Sequence, residues 1–189
     1  MLQLYERRLL GALDELAAIG AIDGGGCARL ALTDEDRAGR DLVVGWMKEL
    51  GLDVRVDAIG NVIGLRAGRE NLAPIMTGSH IDTVRTGGRY DGNYGVLAGL
   101  EIVRVLNEAN VSTRRPIAVA FFTNEEGVRF QPDMMGSLTY VGGIGLDEAY
   151  GAVDKEGASV GDELRRIGYL GAAKPGALTP HAFVELHIE

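Results

Sequence analysis

The 189-residue sequence is poor in cysteine, in positive charge and in long apolar runs. Its single cysteine, Cys27, cannot form a disulfide within the chain. Lys and Arg number 19 against 27 Asp and Glu, so the formal net charge is −8, which argues against a nucleic-acid-binding surface. No apolar run is long enough to cross a bilayer, and the charged N-terminal segment does not resemble a signal peptide. We therefore expect a cytoplasmic protein without nucleic-acid or membrane partners.

The spacing of apolar residues predicts an α/β domain. Helices are predicted over residues 2–18, 33–50 and 92–110 and near 159–168. Strands are predicted twice within 53–66, with a turn near Gly60 and Asn61, then over 74–79 and 117–123 and from about 181. Because helices and strands alternate, we expect a mixed sheet flanked by helices. Ligands of such folds collect at the C-terminal ends of the strands.

Polar residues that could bind a metal follow or flank these predicted strands. They are His80, Asp82, Asp91, Glu125, Glu126 and His187. Imidazole and carboxylate groups are the ligands that suit zinc, manganese and related divalent ions. A carboxylate that bridges two such ions, with a histidine or glutamate on each side, forms a dinuclear hydrolytic site.

Each of these residues also has a structural interpretation. A lone histidine after a strand is usually a loop or core residue, and an aspartate beside glycines usually belongs to a turn or a helix cap. We interpret His181 and Cys27 in this structural way. Glu125 and Glu126 differ, because two adjacent carboxylates at the end of a buried strand repel each other unless a cation lies beside them. The carboxylate pair therefore favours a metal site.

Five segments, taken in order, resemble one enzyme family. They are "GSHIDTV", "GGRYDGNYGVLAGLE", "AFFTNEEGVRF", "MMGS" and "VELHIE". They are similar to the dinuclear-metal amidohydrolases of the hydantoinase/carbamoylase group, within the M20 metallopeptidase-like superfamily. That group includes N-carbamoyl-L-amino-acid hydrolases, β-ureidopropionases and allantoate amidohydrolases. The earlier segments "CARLALTDEDRAGRDLV" and "VDAIGNVIGLRAG" extend the resemblance to essentially the whole chain, which implies an M20-type (phosphorylase/hydrolase-like) catalytic domain, here incomplete.

The resemblance implies roles for particular residues around two divalent ions, which could be zinc, manganese, cobalt or nickel. His80 and His187 match ligands of the first metal, and Glu126 matches a ligand of the second metal. Asp91 matches the carboxylate that bridges the two metals. Glu125 matches the general base, and Asp82 matches the carboxylate that orients His80. A hydrogen-bond acceptor of the last kind fixes the imidazole tautomer. Substrate-binding residues are not identified.

The resemblance also implies hydrolysis of a non-peptide C–N bond in a small carbamoyl or ureido compound. Full-length relatives continue past the "HIE" of the last segment into a lid domain, through which they homodimerise, and then complete the catalytic domain. We therefore expect residues 1–189 to form the N-terminal portion of the catalytic domain, without the lid and C-terminal parts. We also expect this portion to be inactive, or nearly so, alone.

Two other interpretations remain open. One is an M20 aminopeptidase or carboxypeptidase, although related peptidases use a carboxylate where this chain has His187. The other is a non-catalytic remnant that binds metal weakly or serves only as a partner surface. The sequence does not decide among α-carbamoyl amino acids, β-ureido acids and allantoate as substrates.

Overall fold

The computed structural model describes residues 2–188. The helices are α1 (Glu6–Ala17), α2 (Asp34–Glu49), α3 (Asn93–Glu108), α4 (Met135–Val141), α5 (Leu146–Gly151) and α6 (Val160–Ile167). The strands are β1 (Ala21–Ile22), β2 (Gly26–Cys27), β3 (Asp53–Val56), β4 (Val62–Arg66), β5 (Ile75–His80), β6 (Ile117–Phe122) and β7 (Ala182–Val184). Glu189, the last residue of the "VELHIE" segment, lies outside the described residues. Within residues 2–188, each helix is too short or too polar to cross a membrane.

A five-stranded mixed sheet forms the centre of the fold, with strand order β3-β4-β6-β5-β7. β3, β4 and β6 pair antiparallel, whereas β5 pairs in parallel with β6 and with β7. The register places His80 opposite Phe122 and Thr77 opposite Val184. Because neighbouring parallel strands end at the same edge, the segments that follow β5, β6 and β7 meet there. The predicted mixed α/β architecture is confirmed.

Helix α2 begins where the sequence predicts. The Thr33 hydroxyl accepts a hydrogen bond from the backbone N–H of Asp36 at 3.2 Å, and three acidic residues occupy the first turn. Such a cap satisfies one of the free N–H groups at the helix start, and the carboxylates interact favourably with the helix dipole. The cap therefore fixes where the chain leaves the loop and enters α2.

The main hydrophobic core lies between the sheet and helices α1, α2, α3 and α6. Its fully buried side chains include Leu16, Val43, Met47, Val96, Val103, Val119, Phe121 and Leu164. A smaller buried group on the sheet consists of Ile63, Met76, Ala118 and Ala120, against which Tyr140 and Leu178 pack. The strands that hold the site residues are thus supported by a large core on one side.

Two predicted boundaries are wrong. Helix α1 begins at Glu6 rather than residue 2, because the N–H of the extended residue Tyr5 donates to Glu101 of α3 at 3.2 Å. The last strand ends at Val184, so His187 does not lie on a strand as the sequence suggested. Beyond Val184 the chain leaves β5 and passes over the start of α3, where the Leu186 carbonyl closely approaches Gly95.

Candidate metal centre

Four predicted site residues converge at the C-terminal edge of the parallel strands. The His80 Nε2 atom lies 3.6 Å from Asp91 Oδ1 and 3.5 Å from Glu125 Oε2. The His187 Nε2 atom lies 3.5 Å from the same Asp91 oxygen. Among the described residues, His80, Asp91 and His187 offer ligand atoms that all lie within 4.8 Å of one another. One cation could therefore contact all three.

The sheet topology explains this convergence. His80 is the last residue of β5, Glu125 follows the end of β6 by three residues, and His187 follows the end of β7 by three residues. Asp91 comes from the loop that leads into α3, the helix between β5 and β6. Residues far apart in the sequence thus meet because three parallel strands end side by side.

Gly92 allows the imidazole of His80 to approach the start of α3. Its φ is +64°, in the left-handed region, and a Cβ built at this position would lie 2.4 Å from His80 Nε2. Glycine adopts this conformation readily, and it alone has no side chain to fill the space. The glycine next to Asp91 therefore makes room for the contact between the two predicted ligands.

The polar atoms at the centre of the cluster lack hydrogen-bond partners. His80 Nε2 and Asp91 Oδ1 are both buried and unpartnered within residues 2–188. His80 Nδ1 lies 2.9 Å from the backbone oxygen of Asp82, which assigns the imidazole proton to Nδ1. The lone pair of Nε2 then faces carboxylate oxygens, and acceptors that face each other in this way are complementary to a cation. The donor set of imidazole and carboxylate fits zinc or manganese.

The Asp82 carboxylate binds the loop that carries the two glutamates. Its two oxygens accept hydrogen bonds from the backbone N–H groups of Glu125 and Glu126, each at 3.3 Å. Its Oδ1 atom lies 4.0 Å from His80 Nδ1, so the imidazole N–H donates its hydrogen bond to the Asp82 backbone carbonyl and not to the Asp82 carboxylate. The role of the Asp82 carboxylate in orienting His80 stays a prediction, whereas its contact with the glutamate loop was not anticipated.

Burial and mutual charge shift the pKa values in this cluster. Burial raises the pKa of Asp82 to about 6, although nearby His80 opposes the shift. Burial acts to lower the pKa of His80, but the carboxylates of Asp82 and Glu125 outweigh it, so this pKa is raised. Burial also raises the pKa of Glu126, and the neighbouring carboxylates add to the effect. The site thus combines one buried acid, Asp82, with partly exposed carboxylates around a buried histidine, as expected where a cation binds.

Glu126 and Glu125 differ in their surroundings. Glu126 does not belong to the cluster of His80, Asp91 and His187, so its role as a ligand of a second metal stays a prediction. Glu125 lines a cavity of about 540 Å³ that opens beside the cluster. Apolar side chains such as Met134 and Phe183 line this cavity together with polar ones. A small molecule could therefore reach Glu125 from the cavity.

Two residues that hold the site were missed in the sequence analysis. A glycine between a predicted ligand and a helix start, as at Gly92, is a signal that could have been recognised, because it indicates close approach of another group. Arg29 is fully buried beside the loops that carry His80 and Asp91, and nothing in its local sequence distinguishes it from a surface arginine.

A mixed α/β sheet with imidazole and carboxylate groups gathered at the ends of its parallel strands describes an α/β domain with a candidate metal centre. Comparison with known proteins identifies the family. The model of Peptidase family M20/M25/M40 matches residues 76–189, which is more than half of the chain. The chain therefore belongs to this family.

Similar proteins narrow the relationship within the family. The chain is 46% identical over 183 residues to an N-carbamoyl-L-amino-acid amidohydrolase of Rhizobium meliloti, covering 96% of this chain and 44% of the relative. It is 43% identical over 189 residues to an N-carbamoyl-L-amino acid amidohydrolase of Geobacillus stearothermophilus, covering 96% and 46%. A hydantoinase/carbamoylase family amidase from Burkholderia multivorans superposes with a TM-score of 0.97 at 50% identity, covering 100% of this chain and 46% of that one. The chain thus spans about half the length of these relatives, and the predicted resemblance to hydantoinase/carbamoylase amidases is confirmed.

Proposed function

We propose that the chain supplies the main metal-binding part of a carbamoylase-type amidohydrolase. The observation that carries this proposal is the convergence of His80, Asp91 and His187 around unpartnered, buried ligand atoms, with Glu125 beside them at the edge of a cavity. The similarity to N-carbamoyl-L-amino-acid amidohydrolases supports it. The reaction is hydrolysis of the C–N bond between a carbamoyl carbon and the nitrogen of an amino acid.

Each residue of the site has a part in this chemistry. His80, Asp91 and His187 would hold one divalent ion, and Asp91 with Glu126 would hold a second. Such ions polarise a carbonyl and lower the pKa of a water molecule when bound. The Asp82 carboxylate fixes the loop of Glu125 and Glu126 through its two backbone hydrogen bonds. These hydrogen bonds hold the backbone of the loop in place, while the Glu125 side chain faces the cavity.

Glu125 is the proposed general base and acid. It takes a proton from water, whose oxygen forms a bond to the carbamoyl carbon, and it returns the proton to the nitrogen as the C–N bond breaks. The products are the free amino acid and carbamic acid, which decomposes to CO2 and ammonia. Glu125 suits this role because its carboxylate faces the cavity and lies 3.5 Å from His80 Nε2.

We further propose that residues equivalent to the other half of the relatives complete the site. Asp91, Glu125 and His187 are each about one-third exposed, so the cluster is open to further groups. The 189-residue chain should then bind metal but turn over N-carbamoyl amino acids slowly or not at all. A fusion of this chain to the second half of its Rhizobium meliloti relative should be active.

The test compares this fusion with its Glu125→Gln variant. The amide keeps the shape of the side chain but cannot accept the proton, so kcat should fall at least about 100-fold while bound metal, measured by elemental analysis, is unchanged. Substitution of the exposed glutamate Glu156 by glutamine serves as the matched control and should leave kcat unchanged. Full activity of the Glu125→Gln fusion contradicts the assigned role of Glu125.

A substrate panel distinguishes the remaining alternatives. The fusion is assayed with an N-carbamoyl-α-amino acid, a β-ureido acid, allantoate and a dipeptide. We expect the fusion to cleave the ureido compounds and not the dipeptide. Its preference between the α-carbamoyl and the β-ureido acid should be smaller than its preference for ureido compounds over the dipeptide, because one methylene changes transition-state binding by only about 1–3 kcal/mol. Preference for the dipeptide would instead support an M20 peptidase, and metal binding without any turnover would support a non-catalytic remnant.

A further inference from the structure

Arg29 is a fully buried arginine whose guanidinium has only neutral hydrogen-bond partners within residues 2–188. It donates to the carbonyls of Leu16 at 2.9 Å, Ile19 at 2.8 Å and Ile81 at 2.8 Å, to Asn93 Oδ1 at 2.9 Å and to the Cys27 sulfur at 3.3 Å. A buried charge is costly unless all its donors are bonded. These contacts therefore fix the planar group in one position and orientation.

Arg29 binds the segment that carries His80. Its Nε donates to the carbonyl of Ile81, which directly follows His80. Its backbone N–H donates to the Thr83 hydroxyl at 2.8 Å, and its carbonyl accepts the Thr83 N–H at 2.9 Å. Both the backbone and the side chain of Arg29 thus hold the segment after β5, where the Asp82 backbone oxygen in turn contacts the His80 imidazole.

Arg29 also binds the segment that carries Asp91, through Asn93. The guanidinium Nη2 donates to Asn93 Oδ1 at 2.9 Å. The Asn93 amide Nδ2 then donates to the Asp91 backbone carbonyl at 3.1 Å, and the Asn93 backbone N–H reaches the same carbonyl at 2.6 Å. Asn93 is buried, so it connects the arginine to the loop of the bridging carboxylate without intervening solvent.

We propose that the Arg29–Asn93 pair is a positioning device for the metal centre, which sets the distance between His80 and Asp91. This inference rests on the proposed metal-dependent function. Arginine suits the role because its planar fork presents five N–H donors in fixed directions, so that one side chain can bond α1, the end of β5 and the start of α3 together. A lysine ammonium has three donors at one point and cannot span these acceptors.

The first test measures metal binding by the 189-residue chain itself. Zn²⁺ is titrated calorimetrically into the wild type and into Arg29→Lys, each freed of metal and verified as folded by circular dichroism. Loss of groups that position metal ligands weakens metal binding by about 10- to 100-fold. We expect a weakening in this range for Arg29→Lys. An affinity within about 2-fold of the wild type in the folded variant overturns the inference.

Arg66 provides a matched control at the other end of α3. Its Nε donates to Asn107 Oδ1 at 2.8 Å and its Nη2 to the Val111 carbonyl at 2.7 Å, so it too bonds an asparagine of α3 and a backbone oxygen. Arg66→Lys should lower the unfolding temperature but leave the Zn²⁺ affinity within about 2-fold of the wild type. Equal weakening by Arg66→Lys and Arg29→Lys overturns the inference, because the effect would then be general destabilisation.

Asn93→Ala removes the other half of the pair and keeps the test decisive if Arg29→Lys fails to fold. We expect a similar loss of Zn²⁺ affinity, and the double variant should be no weaker than the worse single variant, because coupled residues are not additive. Wild-type Zn²⁺ affinity in folded Asn93→Ala overturns the inference. A wild type that binds no Zn²⁺ overturns the proposed function instead, and with it the basis of the pair's role.

The three histidines of the chain add a spectroscopic readout. In ¹⁵N spectra of the histidine rings, Zn²⁺ should shift the signals of His80 and His187 in the wild type, whereas the exposed His181 serves as an internal reference. In Arg29→Lys, the same Zn²⁺ concentration should produce partial shifts at His80 and His187. Wild-type shifts in that variant overturn the inference, because a purely structural arginine would leave the local geometry of the ligands unchanged.

Discussion

His80 and Asp91 approach each other at Gly92, a residue without a side chain, so the geometry of the candidate site depends on this glycine as well as on the two proposed ligands. The Nε2 atom of His80 occupies the place where a Cβ at residue 92 would lie, at 2.4 Å. Any side chain there would displace the imidazole from Asp91. The geometry of the ligand pair is therefore encoded partly by a residue that binds nothing.

Gly92→Ala should abolish tight metal binding. The new methyl group cannot coexist with His80 in its present position, and the positive φ of residue 92 adds backbone strain of about 1 kcal/mol. We expect the Zn²⁺ affinity of the folded variant, measured by calorimetry, to fall more than about 100-fold. The control is Gly88→Ala in the same loop, where a Cβ would meet no atom within 4 Å. Equal affinities for the two variants would show that His80 does not bind at this place.

At the scale of one helix, α2 contains two glycines in different surroundings. A Cβ at Gly39 would lie 2.8 Å from the Cδ of Arg29, whereas a Cβ at Gly45 would meet nothing within 4 Å. Alanine is favoured over glycine inside a helix by about 0.5–1 kcal/mol when space permits. Gly39 thus lies where the buried Arg29 side chain leaves no room for a methyl group, whereas the packing around Gly45 does not require a glycine.

The two alanine variants of α2 should therefore differ in sign. Gly45→Ala should raise the free energy of unfolding by about 0.5–1 kcal/mol. Gly39→Ala should lower it by about 1–3 kcal/mol, because overpacking displaces Arg29, and it should weaken Zn²⁺ binding as well. Urea unfolding of both variants, with calorimetric titration of Zn²⁺, provides the measurement. Stabilisation by both substitutions would mean that Arg29 moves without cost.

The turn between β3 and β4 contains a buried acid. Asp57 Oδ1 accepts the backbone N–H groups of Ile59 at 3.1 Å and Asn61 at 2.9 Å, and Oδ2 accepts Asn61 Nδ2 at 2.9 Å. Burial nevertheless raises the pKa of Asp57 from 3.8 to about 6, and the hydrogen bonds from Asn61 only reduce the shift. The folded chain therefore takes up this proton at a higher pH than the unfolded chain does.

This difference predicts a pH dependence of stability. An acid with a raised pKa in the folded state contributes stability that is complete below pH 4 and is lost as the pH rises towards 6. Asp57→Asn should remove this contribution, which is about 3 kcal/mol for a pKa raised from 3.8 to about 6, and flatten the stability profile between pH 4 and 6. Asp34→Asn is the control. A salt bridge with Arg166 lowers the pKa of Asp34, so the titration of Asp34 changes the stability only below pH 4. Urea unfolding from pH 4 to 7 measures both, and an unchanged slope in Asp57→Asn would contradict the shift.

At the scale of the whole molecule, the sequence predicted the elements that have strong local signals. The Thr33 cap and the apolar periodicity of α2 and α3 are local, and the continuous apolar run of β6 is typical of a central strand. The predicted start of α1 and the predicted end of β7 were wrong, because both depend on contacts between residues that are distant in the sequence. These contacts are the hydrogen bond of Tyr5 with Glu101 and the passage of Leu186 over Gly95.

The candidate site was predictable to the extent that its residues belong to recognisable segments. The motifs around His80, Asp91 and Glu125 identified residues that meet in the fold, because a carboxylate oxygen of Asp91 and one of Glu125 each lie within 4 Å of His80 Nε2. The hydrogen-bond network behind them was not predictable, because it joins residues that are distant in the sequence. Arg29, for example, donates a hydrogen bond to Asn93, which lies 64 residues further along the chain. A single sequence records the identity of such residues but not which distant groups they contact.

If the ligands form one centre in the folded chain only, metal should stabilise the whole molecule. Binding to the folded state alone adds about 2.7 kcal/mol to the free energy of unfolding at a free ion concentration of 100 times Kd. For a chain of this size that corresponds to a rise in Tm of about 5–10 °C, which chelation should reverse.

His187→Ala removes one of the three converging ligands and should abolish most of the rise. His181→Ala is the control and should retain the rise, because it keeps the main-chain N–H of residue 181 that donates to the Pro74 carbonyl. Calorimetric unfolding of the three proteins with and without Zn²⁺ decides the matter. Equal shifts in both variants would place the ion elsewhere, and the convergence at the ends of β5 and β7 would then be a feature of the fold without a bound metal.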